Sequence, residues 1–551
     1  DLTILNLGSN HIHTVTGQPF PESIVKLDLC GNLLDEVPID SLSNLKSLAY
    51  LFLNDNLIQR LPVGWHLPTQ HIDTLDLSRN LLSTLPSKLF QDSRVTIRQL
   101  LLADNYIRHV PPSTFRQVTV KHLSFSVNHL ETLPDTLFDG LEGLLAHLDI
   151  SHNFVAEFPK AIRSLRRLQS LNLEDNLMSR LDEYDFFASR QHLQSLDLSS
   201  NRFETVPKAA IKFLSKLQTL RLADNVIHTI TSDDFKHGLE ELMLLDLAGN
   251  QIVAIEQEAF LRLKNLAELH LAFNPIKVLR NDTFPKPCPK LNFLHLSHIS
   301  VDLYKLNGPL QSCYNISGAY ALYSKVTSLE NSFLCRLKNL EVLNLAHNDL
   351  RSVPRQCFKA SAHSKLKTVI LANNRLKEIA SSAFRNLERL EIIDLSFNQI
   401  NSLASGTFQN LPNLIVLNLS HNIISTLEQN CFQDLPKLSS LSMDFNRLIA
   451  LDLSLFNTRS TLFISLQLRL SHNDINHLSS NNAGYHGLNV TRVNLSWNNI
   501  ASIPRHFFWA MRHRLYQLDL SHNLLKSIHV EITSELPRVQ ILDLSYNHIT
   551  K

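Results

Sequence analysis

Apolar residues fall in one frame along the whole chain. Leu-x-x-Leu-x-Leu-x-x-Asn runs from Leu2-Thr-Ile-Leu5-Asn-Leu7-Gly-Ser-Asn10 to a last copy ending at Asn547, with successive asparagines 22 to 27 residues apart. The period of two in Leu-x-Leu predicts a short strand whose leucines point inward and whose intervening residues face out. One such unit cannot bury its own apolar edge, so copies must stack strand beside strand into an α/β repeat solenoid with a parallel sheet on its concave face. The frame gives 21 clear copies, from Asn10 to Asn274 and from Asn348 to Asn547. In the gap, Leu291-Asn-Phe-Leu294-His-Leu296-Ser-His-Ile299 is a copy that has lost its Asn, and back-counting from Phe333 places another near Tyr323. About 23 repeats are therefore expected, as a single solenoid over 1–551: a regular array over 1–284, an irregular island over 285–332 and a regular array over 333–551.

The repeated Asn should set its side-chain amide against backbone groups of neighbouring turns, because a buried chain leaving its strand needs other hydrogen-bond partners. A second column is aromatic. Phe follows the Asn by ten residues at Phe90, Phe115, Phe138, Phe186, Phe235, Phe260, Phe284, Phe358, Phe384, Phe408, Phe432, Phe456 and Phe508, and reads as a spine inside the convex side. The island carries Pro285, Pro287, Pro289, Pro309 and Gly308, and reads either as a tolerated scar or as a protruding recognition loop.

Lys plus Arg number 52 against 51 acidic residues, so no basic field draws nucleic acid or an anionic membrane. No apolar stretch approaches the length of a membrane span. Neither end carries a signal peptide or a cysteine-rich cap, so both caps are read as missing from a piece of a longer protein. Cys288 lies 14 residues after Asn274, and Cys313 lies 14 after Ile299, where the next Asn belongs. Equal phase in adjacent turns brings the backbones within disulfide range and points to an extracellular location. Cys335 and Cys357 also occupy adjacent turns, three positions out of phase, so their spacing leaves pairing open; Cys30 and Cys431 read as buried thiols. Asn-x-Ser/Thr glycosylation acceptors occur at Asn281, Asn315, Asn418, Asn489 and Asn494. Asn418 and Asn494 fall in the outward mid-strand position, where sugars would stand in the concave groove.

Catalytic signatures do not appear: there is no His-Glu-x-x-His, no Gly-x-Ser-x-Gly and no phosphate-cradling glycine loop. No enzyme, cofactor or metal is expected, since His11 and His13 alone are too few ligands. Asp28, Asp76, Asp149, Asp197, Asp246, Asp394, Asp519 and Asp543 repeat in Leu-Asp-Leu and read as solvated consensus residues. The position after the second strand leucine is Ser or Ala in most copies, too short to anchor a partner. The next column differs. Directly before the Asn, the last seven clear repeats carry Phe397, His421, Phe445, His472, Trp497, His522 and Tyr546. Rings at this spacing either pack on one another or form a ladder at a protein interface, and they are the candidate protein-binding residues.

The unit Leu390-Glu-Ile-Ile-Asp-Leu395-Ser-Phe-Asn398-Gln-Ile400-Asn-Ser-Leu403, followed by Phe408 and Leu411, resembles the typical class of extracellular leucine-rich repeats. The resemblance covers the whole chain and implies a leucine-rich-repeat horseshoe. Toll receptors, adhesion proteins and matrix proteoglycans share the class. The long run without internal cysteine caps most resembles the chaoptin type of photoreceptor adhesion protein, which implies homophilic binding and a lipid anchor on the cell membrane, outside this segment. The expectation is therefore a cell-surface adhesion scaffold whose partner is another copy of itself. The alternative is a Toll-like receptor ectodomain that binds a secreted protein ligand.

Overall fold

The computed structural model describes residues 2–87, 89–90, 95–280, 282–300, 308–310, 312–330, 332–355, 357–456, 465–479, 489–528 and 536–550, without the side chain of Phe456. They form two compact units, residues 1–270 with 282–286 and residues 271–281 with 287–551. Each repeat supplies one short strand that pairs in parallel with its neighbours, 23 such strands among the described residues. The first unit holds those from Ile4–Asn6 and Lys26–Asp28 to Glu268–His270, and the second those from Phe293–His295 to Ile541–Asp543. Register follows the frame: Leu5 lies beside Leu27, Leu220 beside Leu245, and Leu417 beside Leu441. These leucines alternate with half-exposed neighbours, and Leu27, Leu51, Leu220, Leu417 and Leu441 are fully buried. Burying such a side chain contributes about 1.5–3 kcal/mol before conformational entropy is set against it.

The buried Asn ties each turn to the one before. Asn398 donates through Nδ2 to the carbonyls of Leu371 (2.9 Å), Leu395 (3.1 Å) and Ser396 (3.1 Å), while its Oδ1 accepts the Leu376 amide at 3.0 Å. Asn56 and Asn225 repeat the pattern in the first unit. The irregular island keeps the sheet: Phe293 pairs with Gly318, and Gly318 with Val342. Where the Asn is missing, the Ser324 hydroxyl donates to Leu296 (2.8 Å) or Leu322 (2.9 Å), and Ile299 is simply buried.

Each of the Phe spine residues described is buried. In the second unit Phe358, Phe384, Phe408 and Phe432 follow one another at 5.5, 5.9 and 6.1 Å with nearly parallel rings. Beside them Phe408–Gln409 and Phe432–Gln433 form a second small ladder. Disulfides join Cys288 to Cys313 and Cys335 to Cys357, with Cα atoms 4.9 and 4.8 Å apart. Counted from Ser324, which stands where the Asn is lost, Cys335 is two positions out of phase with Cys357 and not three, and the short 3-10 helix Phe333–Arg336 carries it. Cys431 is buried as expected. Cys30 is not: it lies half-exposed on the sheet face, where a hydrogen bond to Asp28, together with burial, pushes its thiol up to about 11.

Candidate protein-binding surface

The residue before each Asn adopts a left-handed conformation, and few of them are glycine. In the second unit Phe397, His421, Phe445, His472, Trp497, His522 and Tyr546 all have φ between 53° and 56°. This turn lets the next residue drop its amide into the core while the left-handed residue continues the ladder to the following turn. The Phe397 amide donates to Ser420 at 3.0 Å, and the Trp497 amide to Ser521 at 3.0 Å. A left-handed non-glycine residue costs about 1–2 kcal/mol. The four bonds of the Asn offset this in repeats such as that of Asn398, and ring stacking adds about 0.5–1.5 kcal/mol per pair here.

The seven rings form one continuous stack. Successive centroids are 4.0, 4.3, 4.1, 5.1, 3.9 and 4.1 Å apart, with interplanar angles of 8° to 12°. The two readings of the column are thus compatible: the rings pack on each other and still present their edges, with Phe397 49%, Trp497 50% and Tyr546 76% exposed. Sequence reasoning missed an upstream continuation. Phe273, His298, Tyr323 and His347 stack in the same column at 4.3, 4.4 and 4.2 Å, and Asn373 stands between this stack and Phe397. The frame was indexed on its Asn, and His298 and Tyr323 precede Ile299 and Ser324, where the Asn is lost.

In the first unit the same column is mostly polar, with Val127 the exposed exception. Arg79 bridges Asp55 (3.3 Å) and Asp104 (3.6 Å), and His152 meets Asp175 at 2.7 Å. One position past the Asn, however, this unit exposes Leu57, Leu81, Tyr106 and Phe154, with His129 between the last two at 5.8 and 5.9 Å. This apolar edge was also missed.

On the sheet face the repeated aspartates are not merely solvated. Asp76 Oδ1 accepts the Ser78 amide at 2.9 Å, Asp197 that of Ser199 at 3.0 Å, and Asp519 both the amide (3.0 Å) and hydroxyl (2.7 Å) of Ser521. Each carboxylate caps the strand end two residues on, where no ladder partner serves that side of the chain. Asn418 and Asn494 fill the same role through Oδ1, toward the amides of Ser420 and Ser496. At Asn315 the amide nitrogen donates to the Pro289 carbonyl at 2.6 Å, and a glycan there would leave it one N–H. Asn489 is half-buried beside the strand Val490–Asn494, and Asn281 lies outside the described residues.

His122 and His147 stack on this face at 4.1 Å. Burial first, then His147, Lys121 and Arg98, holds His122 down to about 4, and burial with Lys121 lowers His147. Because the folded values lie below the unfolded 6.5, the unfolded chain takes up protons first as pH falls. Stability contributed by the neutral pair is complete above 6.5 and declines toward pH 4. Replacing both with Gln should flatten the fall in thermal midpoint over that window; an unchanged slope in the variant would assign it elsewhere.

Charge divides unevenly between the units. The first has 25 Lys and Arg against 34 Asp and Glu, and the second 27 against 17, so a nearly neutral whole conceals an acidic and a basic half. Ion pairs in the second unit include Lys367 with Glu341 and Arg375 with Asp349. No group of His, Cys, Asp and Glu among the described residues is placed to hold a metal, and no helix among them is long and apolar enough to cross a membrane.

Comparison with known proteins agrees with this geometry. The Leucine rich repeat family matches residues 1–58, 22–82, 95–155, 119–178, 191–252, 240–298, 364–414, 388–448 and 488–549. The zebrafish (Danio rerio) transforming growth factor beta activator LRRC33 is 31% identical over 134 residues, 22% of this chain and 20% of that protein. The match thus spans about a fifth of that relative. Pig (Sus scrofa) fibromodulin is 33% identical over 110 residues, 20% of this chain and 71% of fibromodulin. Among solved structures, the plant peptide hormone receptor RGFR1 in complex with RGF2 aligns with a TM-score of 0.58 at 21% identity, over 96% of this chain and 83% of that one. Repeat frame, sheet and family match agree: the chain belongs to the leucine-rich repeat family.

Proposed function

We propose that this protein is an extracellular, membrane-anchored adhesion scaffold that binds a second copy of itself, with the ring ladder from Phe397 to Tyr546 as the contact. The ladder carries the reading. Exposed aromatic residues are enriched where interfaces lose water, and here they are held rigid by their neighbours, so little side-chain entropy is lost on docking. Repetition along adjacent turns lets weak single contacts act together between apposed membranes. Glycans at Asn418 and Asn494 would occupy the sheet face and direct partners to the ring-bearing edge. The two disulfides fit an oxidising compartment, and the likeness to the chaoptin type supports homophilic binding and a lipid anchor. Cells displaying the protein should aggregate with one another and not with cells lacking it; failure to aggregate would remove the adhesion reading.

A second reading, a receptor ectodomain that binds a secreted protein ligand, is favoured by the exposed apolar edge of Leu57, Leu81, Tyr106 and Phe154 in the first unit. Aggregation-negative cells that capture a soluble protein through this edge would favour it.

A further inference from the structure

Six basic side chains of the second unit lie on the loop side of three adjacent turns. Arg336 ends the 3-10 helix Phe333–Arg336, and Lys338 follows it. Lys359 comes directly after spine residue Phe358, and Arg385 directly after Phe384; these two rings are 5.5 Å apart, so the two cations occupy one column on neighbouring turns. Lys365 and Arg389 share a second column, each four residues before the paired strand residues Val369 and Ile393. All six are exposed, and none belongs to an ion pair among the described residues. Within residues 333–340, 357–366 and 384–390 the sole acidic residue is Glu388. The disulfide between Cys335 and Cys357 fixes the first two turns to each other beneath the patch. The field extends to the sheet side: Lys365 and Arg389 help hold the Glu341 carboxyl below its ordinary value, after the larger effect of Lys367.

A fixed surface of six cations outside any ion pair among the described residues, spanning three turns about 4.8 Å apart, calls for an anionic partner with repeated charges. Its other chemistry narrows the class. No large apolar side chain between 324 and 391 is exposed among the described residues. A protein interface lacks its usual buried anchors here. A single-stranded nucleic acid lacks the aromatic platforms on which its bases stack, and the ring ladder offers none in exchange, since neighbouring rings already fill each other's faces. We infer that this patch binds a linear sulfated polysaccharide, whose charges are regular and whose backbone needs neither apolar anchors nor stacking.

The test is fluorescence anisotropy of the purified full chain with a labelled heparin decasaccharide. The wild type should bind with an affinity that falls steeply as salt rises. K359E, K365E, R385E and R389E together should weaken binding at least about tenfold with an unchanged circular dichroism spectrum. The milder set K359Q, K365Q, R385Q and R389Q should give an intermediate loss and keeps the test valid if charge reversal impairs folding. A chemically desulfated decasaccharide should not bind. Binding that survives either variant set, or equal binding of the desulfated sugar, of polyglutamate or of a single-stranded oligonucleotide of matched charge, would overturn the inference.

Discussion

Asn398→Ala should cost about 4 kcal/mol locally, from one orphaned amide and three lost hydrogen bonds. The sum is smaller than four stranded groups would give, because each carbonyl that Asn398 reaches has a second partner. Leu371 also accepts from Asn374, Leu395 from Asn422, and Ser396 from the Asn373 amide. The Leu376 amide has no such reserve: Asn398 Oδ1, at 3.0 Å, is its acceptor in a buried setting. Repeat arrays open locally, turn by turn, so a single global midpoint understates the effect. Hydrogen exchange is the right readout. The Leu376 amide should lose protection by about two to three orders of magnitude, with neighbouring turns affected less. Retained protection at Leu376 would show that water or a shifted neighbour replaces the Asn without loss.

Trp497→Ala combined with Tyr546→Ala should weaken self-association by at least about tenfold, or ~1.4 kcal/mol. These two rings enclose His522, at 3.9 and 4.1 Å, so their removal breaks the stack at three successive turns. Alanine keeps a Cβ at a left-handed position, and the backbone strain at both sites is therefore unchanged. The variant gives up three stacked pairs, worth about 0.5–1.5 kcal/mol each, so circular dichroism beside the affinity measurement separates recognition from folding. Equal affinity of variant and wild type, with both folded, would move the contact away from the ladder.

The parts of this structure legible in the sequence are those that recur with a fixed period. Leu5 beside Leu27 and the bonds of Asn398 follow from period and burial alone. What stayed hidden has other causes. The left-handed column contains Phe397, His421 and Trp497 where conformational preference would place glycine, so composition carried no signal of it. Asp76 and Asp519 looked like surface consensus because the amides they cap lie two residues away, a spacing indistinguishable from solvation in one dimension. The rings of His298 and Tyr323 escaped because the Asn that marks the frame is absent behind them. Opposite charge in the two units cancelled in the whole-chain sum, and the patch around Lys359 and Arg385 disappeared with it.

Sedimentation velocity of the purified wild-type chain, over a concentration series reaching the high micromolar range, tests the central claim most directly. The adhesion account predicts a shift from monomer to dimer as concentration rises. A single monomeric species throughout would contradict it, and would leave the receptor reading as the better account of this scaffold.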